Sequence, residues 1–262
     1  MRQGHVGIVI GGSRGIGRAI ACALAARGGN VFVIGRNHER VDATLKDLQA
    51  LGTGRHIGRV LDAAIPDDMT QMAAICDETY GRADLLVFSA VVTGYEGISQ
   101  LPPQMLDLPL VAWRKALDVN LHGVFLANKA VLPLMFRQGE GDIINIGSAL
   151  TRHGMRGRAM AAAYSATKYA LAAFTRHLAS EVSEQGVRVN AIFPGTVATP
   201  LIDGTALASE FGGKITAEHL AEALIRLLEF PVDCLPRDPY ILPTLGSGLS
   251  TRGRGAGNGA GS

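Results

Sequence analysis

Residues 6–17 read Val-Gly-Ile-Val-Ile-Gly-Gly-Ser-Arg-Gly-Ile-Gly, and this stretch decides the fold. The run Val6–Ile10 ends in Gly11-Gly12, and a helical pattern follows over residues 14–27, with Ile16, Ala19, Ile20, Ala23 and Leu24 on one face. The pattern predicts a strand, a glycine turn and a helix. Gly11 lets the chain turn sharply off the strand. Gly15 and Gly17 let backbone approach a ligand and let the helix pack close to the sheet. The spacing Gly-x-x-x-Gly-x-Gly departs from the Gly-x-Gly-x-x-Gly fingerprint, but the physics is shared: the first turn of the helix offers unpaired N–H groups to phosphates. A strand and a helix on either side make this a dinucleotide-binding turn rather than a chance glycine cluster.

The same alternation continues along the chain. Strands are expected at residues 30–34, 55–61, 84–89, 142–146, 187–193 and 240–242. Helices are expected at 38–50, 67–80, 111–137, 161–185 and 216–229. The strand runs are continuously apolar, as in a parallel sheet buried on both faces. Repeated βα units with right-handed crossovers predict an α/β fold, a doubly wound (Rossmann-type) seven-stranded parallel sheet of order 3-2-1-4-5-6-7. Residues 1–245 read as one dinucleotide-binding and catalytic domain. Residues 246–262, almost all Gly, Ser, Ala and Arg, are expected to form a disordered tail.

Composition narrows the function classes. With 25 basic and 23 acidic residues the charge is nearly balanced, so no broad electrostatic footprint invites nucleic acid or an anionic membrane. No stretch is expected to approach the ~20 apolar residues of a membrane span, and the apolar run that leads into the glycine motif is too short for a signal peptide. Cys22, Cys76 and Cys234 are widely spaced, without metal-ligand spacing, so no metal is expected and the default is a cytoplasmic protein.

The end of the second strand selects the dinucleotide. A chain that prefers NAD usually places a carboxylate there; this one reads Ile34-Gly35-Arg36-Asn37. Arg36, helped by Arg14 of the glycine loop, can accept a 2′-phosphate through its planar donor fork, which favours NADP(H). Asp62, after the third strand, is placed for an adenine amine. Further along, Tyr164 and Lys168 stand four apart near the start of a helix, so both lie on one face. A phenol of reference pKa about 10 is a poor acid near neutrality, and a neighbouring ammonium is expected to lower it. Ser148 follows the fifth strand, at the carboxyl end of the sheet, where doubly wound folds bind ligands.

With these pieces in order, the chain resembles the short-chain dehydrogenase/reductase family over residues 6–244. The resemblance is carried by the Gly11/Gly15/Gly17 loop, Asn120 in a Trp113…Leu117-x-Val-Asn context, Ser148, Tyr164/Lys168, and Pro194-Gly195 with Thr199 beyond. It implies that Tyr164 is the general acid in carbonyl reduction and that Ser148 holds the substrate oxygen. It further implies that Lys168 holds the nicotinamide ribose and tunes Tyr164, that Asn120 anchors a water linking Lys168 to solvent, and that Thr199 meets the nicotinamide amide. Ser13, Ile16, Ala90 and Val197 complete the expected cofactor contacts. A small carbonyl or alcohol substrate and a homodimer or homotetramer are also implied. Tyr240-Ile241-Leu242-Pro243-Thr244 resembles the ending of a reductase subgroup.

Two places depart from the family pattern. The strand-four motif Asn-Asn-Ala-Gly is here Phe88-Ser89-Ala90-Val91, and the threonine before the first glycine is Ile10. Apolar packing of Ile10 on Phe88 or Val91 is expected to replace a polar tie. Ser148 and Tyr164 are also further apart than usual. The intervening residues 149–160, with Arg152, His153, Arg156 and Arg158, read either as a cationic substrate rim or as a solvated basic loop. Residues 93–109 are expected near the mouth of the site or a subunit contact. Residues 203–213, with Glu210 and Phe211, occupy the family's substrate lid. Three alternatives stay open: an alcohol dehydrogenase working oxidatively, a cofactor-binding sensor, and a reductase of carrier-bound acyl groups. The last is weakened by Ser183-Glu184-Gln185-Gly186, which lacks a basic residue at the end of the catalytic helix.

Overall fold

Val6–Ile10 (β1) is buried along its whole length and hydrogen-bonded in parallel on both sides. The structure, a computed structural model, describes residues 3–93, 105–153, 162–201, 213–231, 234 and 236–243, with the backbone alone at 152 and 153. The other strands of the main sheet are Asn30–Gly35 (β2), His56–Val60 (β3), Leu85–Phe88 (β4), Gly141–Ile146 (β5), Val187–Pro194 (β6) and, at the end of the chain, Tyr240–Ile241 (β9). They lie in the order β3-β2-β1-β4-β5-β6-β9, all parallel. This is the doubly wound order expected from the sequence. The final strand carries the number nine because two short strands, Val197–Ala198 (β7) and Ile215–Thr216 (β8), pair in parallel apart from the main sheet. Two-residue strands leave no period to read, so the sequence does not announce them.

Helices cover both faces. Gly15–Ala25 (α1), His38–Leu51 (α2) and Ala217–Leu228 (α8) bury Ile20, Leu24, Leu48, Leu220 and Leu224 against one side of the sheet. Pro66–Tyr80 (α3), Gly123–Gln138 (α5) and Ala162–Glu181 (α7) bury Met69, Met72, Val124, Val131 and Leu171 against the other. Each fully buried aliphatic side chain contributes about 1.5–3 kcal/mol of burial free energy. Caps mark the starts of two helices: Asn37 accepts from Arg40 N–H at 2.8 Å for α2, and Thr216 from His219 N–H at 3.1 Å for α8.

The helix expected at 111–137 is three pieces. Leu110–Leu117 (α4) passes through a π-turn at Asp118–His122 into α5. As one run, Leu110–Gln138 is long and apolar enough to cross a membrane, contrary to the sequence expectation. Its half-buried apolar stripe is taken up by the core, where Val124, Ala127, Val131, Leu134 and Met135 are buried. The helix expected at 161–185 is α7 followed by a 3-10 turn, Ser183–Gln185, stopped by Gly186 in the left-handed region (φ 76°).

Residues 94–104 and 154–161, the residues expected to form the lid with Glu210 and Phe211, the side chains of Arg152 and His153, and residues 244–262 lie outside the described residues.

Candidate active site

At the carboxyl ends of β1, β2 and β4 the chain leaves a cavity of about 410 Å³. Its floor is the glycine turn: Gly11, Ser13, Arg14, Gly15 and Ile16 line it. Gly11 adopts φ 77°, and a Cβ there would stand 2.6 Å from Ala90 N, so the turn and the end of β4 fit together only through glycine. Gly17 does not line the cavity; a Cβ there would stand 2.2 Å from Gly11 O, so its role is to seat α1 under the turn. Unlike α2 and α8, α1 has no side-chain cap at its N-terminus. Its first N–H groups are left for a ligand, and the helix dipole favours an anionic one.

Arg14, Arg36 and Arg40 line one end of this cavity together with Asp62 and Asn37. Arg36 Nη1 is 3.7 Å from Asp62 Oδ2, and Asp62 Oδ1 accepts the Ala64 N–H at 3.0 Å. Among the described residues Arg14 and Arg40 have no carboxylate partner, so two guanidiniums face the cavity with their donors unspent. The sequence reading missed Arg40. Arg36 precedes α2, so the four-residue separation of the two arginines is not a helical turn and gave no signal.

At the other end a smaller hollow adjoins the first, sharing Ile16, Ser89, Val91, Thr199 and Leu201 with it. Ser148, Tyr164, Lys168, Pro194, Gly195, Val197 and Thr199 line this hollow. The structure therefore brings together residues that the sequence separates by tens of positions. Tyr164 (8% exposed), Ser148 (8%) and Lys168 (4%) are all buried. Lys168 Nζ donates to Ile146 O at 2.6 Å and lies 5.7 Å from the centre of the Tyr164 ring.

The electrostatics correct one expectation. Burial pushes the Tyr164 phenol up to about 12, partly offset by a hydrogen bond with the Ser148 hydroxyl. Burial also brings the Lys168 ammonium down to about 7. Desolvation, not the pull of lysine on tyrosine, dominates both groups here. The phenol keeps its proton at neutral pH, which is the form a proton donor to a carbonyl oxygen requires.

Asn120 takes no part in the lining; its neighbour Val119 does. In the π-turn the Asn120 side chain is spent on structure. Its Oδ1 accepts the Val92 N–H at 2.8 Å, and its Nδ2 donates to Val92 O (2.8 Å) and Thr167 Oγ1 (3.1 Å). It thereby ties the chain after β4 to α7, one residue from Lys168. A second buried tie lies below: Asn145 Nδ2 donates to Thr175 Oγ1 at 3.1 Å, fixing α7 to the strand whose Ile146 carbonyl receives Lys168. Ala90 lines the larger cavity. Ile10 and Phe88 are register partners on adjacent strands and share one core cluster, so the apolar substitute for the polar tie is Phe88, while Val91 faces both hollows.

The donor set fits a dinucleotide phosphate: an uncapped helix N-terminus over a glycine turn, cations at one end, a buried phenol and ammonium at the other. The sequence signature of the short chain dehydrogenase family matches residues 5–208. The short-chain reductase protein NovJ of Streptomyces niveus is 40% identical over 211 residues, 80% of this chain and 75% of that one. A 3-oxoacyl-[acyl-carrier-protein] reductase of Synechocystis sp. is 38% identical over 200 residues, 76% of each. Among solved structures, a metagenomic short-chain oxidoreductase in complex with NADP superposes with a TM-score of 0.77 at 27% identity, covering 93% of this chain and 98% of that one. Sequence signature, relatives and sheet order agree: the chain belongs to the short-chain dehydrogenase/reductase family and is an oxidoreductase acting between CH–OH and C=O groups.

Proposed function

We propose that the protein is an NADPH-dependent carbonyl reductase that turns a ketone into an alcohol. The observation that carries this reading is the pair of guanidiniums, Arg14 and Arg40, which line the cavity beside Arg36 and among the described residues have no carboxylate partner, at a strand end that reads Gly35-Arg36-Asn37 without an acid of its own. Arg–phosphate contacts are charge-assisted and bidentate, which favours a 2′-phosphate over a bare hydroxyl. Asp62 is close enough to Arg36 to orient it and remains available to an adenine amine.

When bound, the nicotinamide supplies the hydride. The chain supplies position and a proton. Ser148 donates a hydrogen bond to the substrate oxygen, and Tyr164 delivers its proton to that oxygen as negative charge develops there. Lys168, fixed by Ile146 O, holds the ribose and replenishes Tyr164; Thr199, Gly195, Pro194 and Val197 shape the pocket beyond it. The similarity to a 3-oxoacyl-[acyl-carrier-protein] reductase favours a second reading, an acyl thioester as the carbonyl substrate. Against carrier docking at the end of α7, the final turn holds no basic residue.

The test is NADPH and NADH oxidation over a panel of ketones, quinones and acyl thioesters, with Tyr164→Phe alongside. Turnover preferring NADPH and lost in the variant is expected. NADPH binding without turnover, unaffected by Tyr164→Phe, points instead to a cofactor sensor. A preference for NAD with alcohols points to an oxidative enzyme. We further infer a homodimer or homotetramer built on α5 and α7, because Phe125 and Tyr169 stand about half exposed on those helices. We infer one catalytic domain to residue 245 with a polar tail beyond it. Three free cysteines support a reducing, cytoplasmic setting.

A further inference from the structure

Tyr240 lines neither hollow, yet it is linked to the turn that carries Ser148. Its strand, β9, is pinned to β6: Phe193 N–H donates to Pro239 O at 2.9 Å and Gly195 N–H to Ile241 O at 2.8 Å. The turn before it is fixed from two sides. Asp238 sits in the left-handed region (φ 52°), donates its N–H to Asn190 Oδ1 at 2.9 Å, and accepts Arg176 Nε of α7 at 2.5 Å. The Tyr240 ring is stacked on Phe193, with centroids 4.9 Å apart and planes 18° off parallel.

This framework sets the Tyr240 hydroxyl 3.4 Å from Thr151 Oγ1. Thr151 Oγ1 in turn donates to the Ser148 carbonyl at 3.0 Å, where the Thr151 N–H also donates at 3.1 Å. A threonine hydroxyl has a single hydrogen, and here it is spent on Ser148. Thr151 therefore has no hydrogen to give Tyr240, and the direction consistent with this is Tyr240 O–H to Thr151 Oγ1, then Thr151 O–H to Ser148 C=O. Besides its hydrogen bond with Tyr164, Ser148 Oγ meets the Leu150 N–H only at a long 3.4 Å, so within its own loop the hydroxyl is placed by how firmly the 148–151 turn is held.

We infer that Tyr240 is a positioning residue for Ser148. Through Thr151 it holds the turn that presents the Ser148 hydroxyl to the substrate oxygen. The inference rests on the role proposed for Ser148 above. Misplacement of a reacting partner by a fraction of an ångström is felt in rate more than in fold.

Tyr240→Phe keeps the stack on Phe193 and removes only the donor. Its kcat/KM for a carbonyl substrate should fall about three- to fivefold, mainly in kcat, as expected for one weak hydrogen bond. NADPH affinity by fluorescence titration and Tm should stay at wild-type values. Thr151→Val should lose at least as much, Thr151→Ser should restore activity, and Tyr240→Phe/Thr151→Val should be no worse than Thr151→Val, because the two act in one chain. Wild-type kcat/KM in Tyr240→Phe, or a double-variant loss equal to the product of the singles, overturns the inference. Ser148→Ala and Tyr164→Phe in the same series separate the two levels. If both retain full turnover, the proposed function fails and this inference with it. If both are inactive while Tyr240→Phe is silent, this inference alone fails.

Discussion

Lys168→Met should make the cofactor-free protein more stable at neutral pH while destroying turnover. Lys168 is 4% exposed, donates to Ile146 O at 2.6 Å, and among the described residues is paired with no carboxylate. Burial takes its ammonium from 10.5 down to about 7. At about 1.36 kcal/mol per pH unit, that drop corresponds to roughly 5 kcal/mol. The unfolded chain holds this proton up to about pH 10.5, whereas the folded chain releases it near 7. The folded state is thus increasingly penalised as pH falls from 10.5 to 7, with the whole cost present at and below 7. Methionine has similar length and no charge. It forfeits the bond to Ile146 O, at about 1–3 kcal/mol. The variant should exceed wild type by about 2–4 kcal/mol at pH 7, and the gap should shrink by about 3 kcal/mol at pH 9.5. Urea unfolding followed by circular dichroism, run on both proteins at both pH values, measures it. A gap that is constant with pH, or one that widens as pH rises, refutes the reasoning.

Arg36→Glu should lower the ratio of NADPH to NADH kcat/KM at least about tenfold, since one charge-assisted contact is worth about 1.5–3 kcal/mol; an unchanged ratio removes Arg36 from phosphate recognition. Gly17→Ala places a methyl 2.2 Å from Gly11 O, so calorimetry should show a lower Tm together with weakened NADPH binding, and wild-type values for both would contradict the packing described for α1. Ile10→Thr sets a hydroxyl against Phe88 in the core and should cost about 1–3 kcal/mol in denaturant unfolding. Combined with Phe88→Asn its cost should be less than the sum of the two singles, and strict additivity would show that the positions are not coupled.

The sheet was legible because parallel strands buried on both faces leave unbroken apolar runs, such as Val6–Ile10, and the turn after β1 carries its own glycine signature. Ser148, Tyr164 and Lys168 were legible through spacing and order. What escaped depends on contacts across the fold. The π-turn at Asp118–His122 has the composition of ordinary helix and is recognised only by where Asn120 reaches. Asn145 reads as a lapse in an apolar strand until Thr175 is seen opposite. Arg40 looks like any exposed residue on α2 until the cavity shows what it faces. The reversed electrostatics at Tyr164 and Lys168 also had no sequence signal, because burial outweighed a pairing inferred from helical spacing.

The short strands β7 and β8 close the root of an excursion that leaves the sheet near Ala198 and returns at Ile215, with Ile215 N–H bonded to Thr196 O at 2.9 Å. Thr216 then caps α8 directly. Closing a longer chain between fixed ends adds little entropy cost, so the intervening residues can be exchanged or lengthened without shifting how α8 docks on α1. The clip works as a socket: the start of α8 is set by Ile215 and Thr216 themselves and not by the length of chain that joins the two short strands.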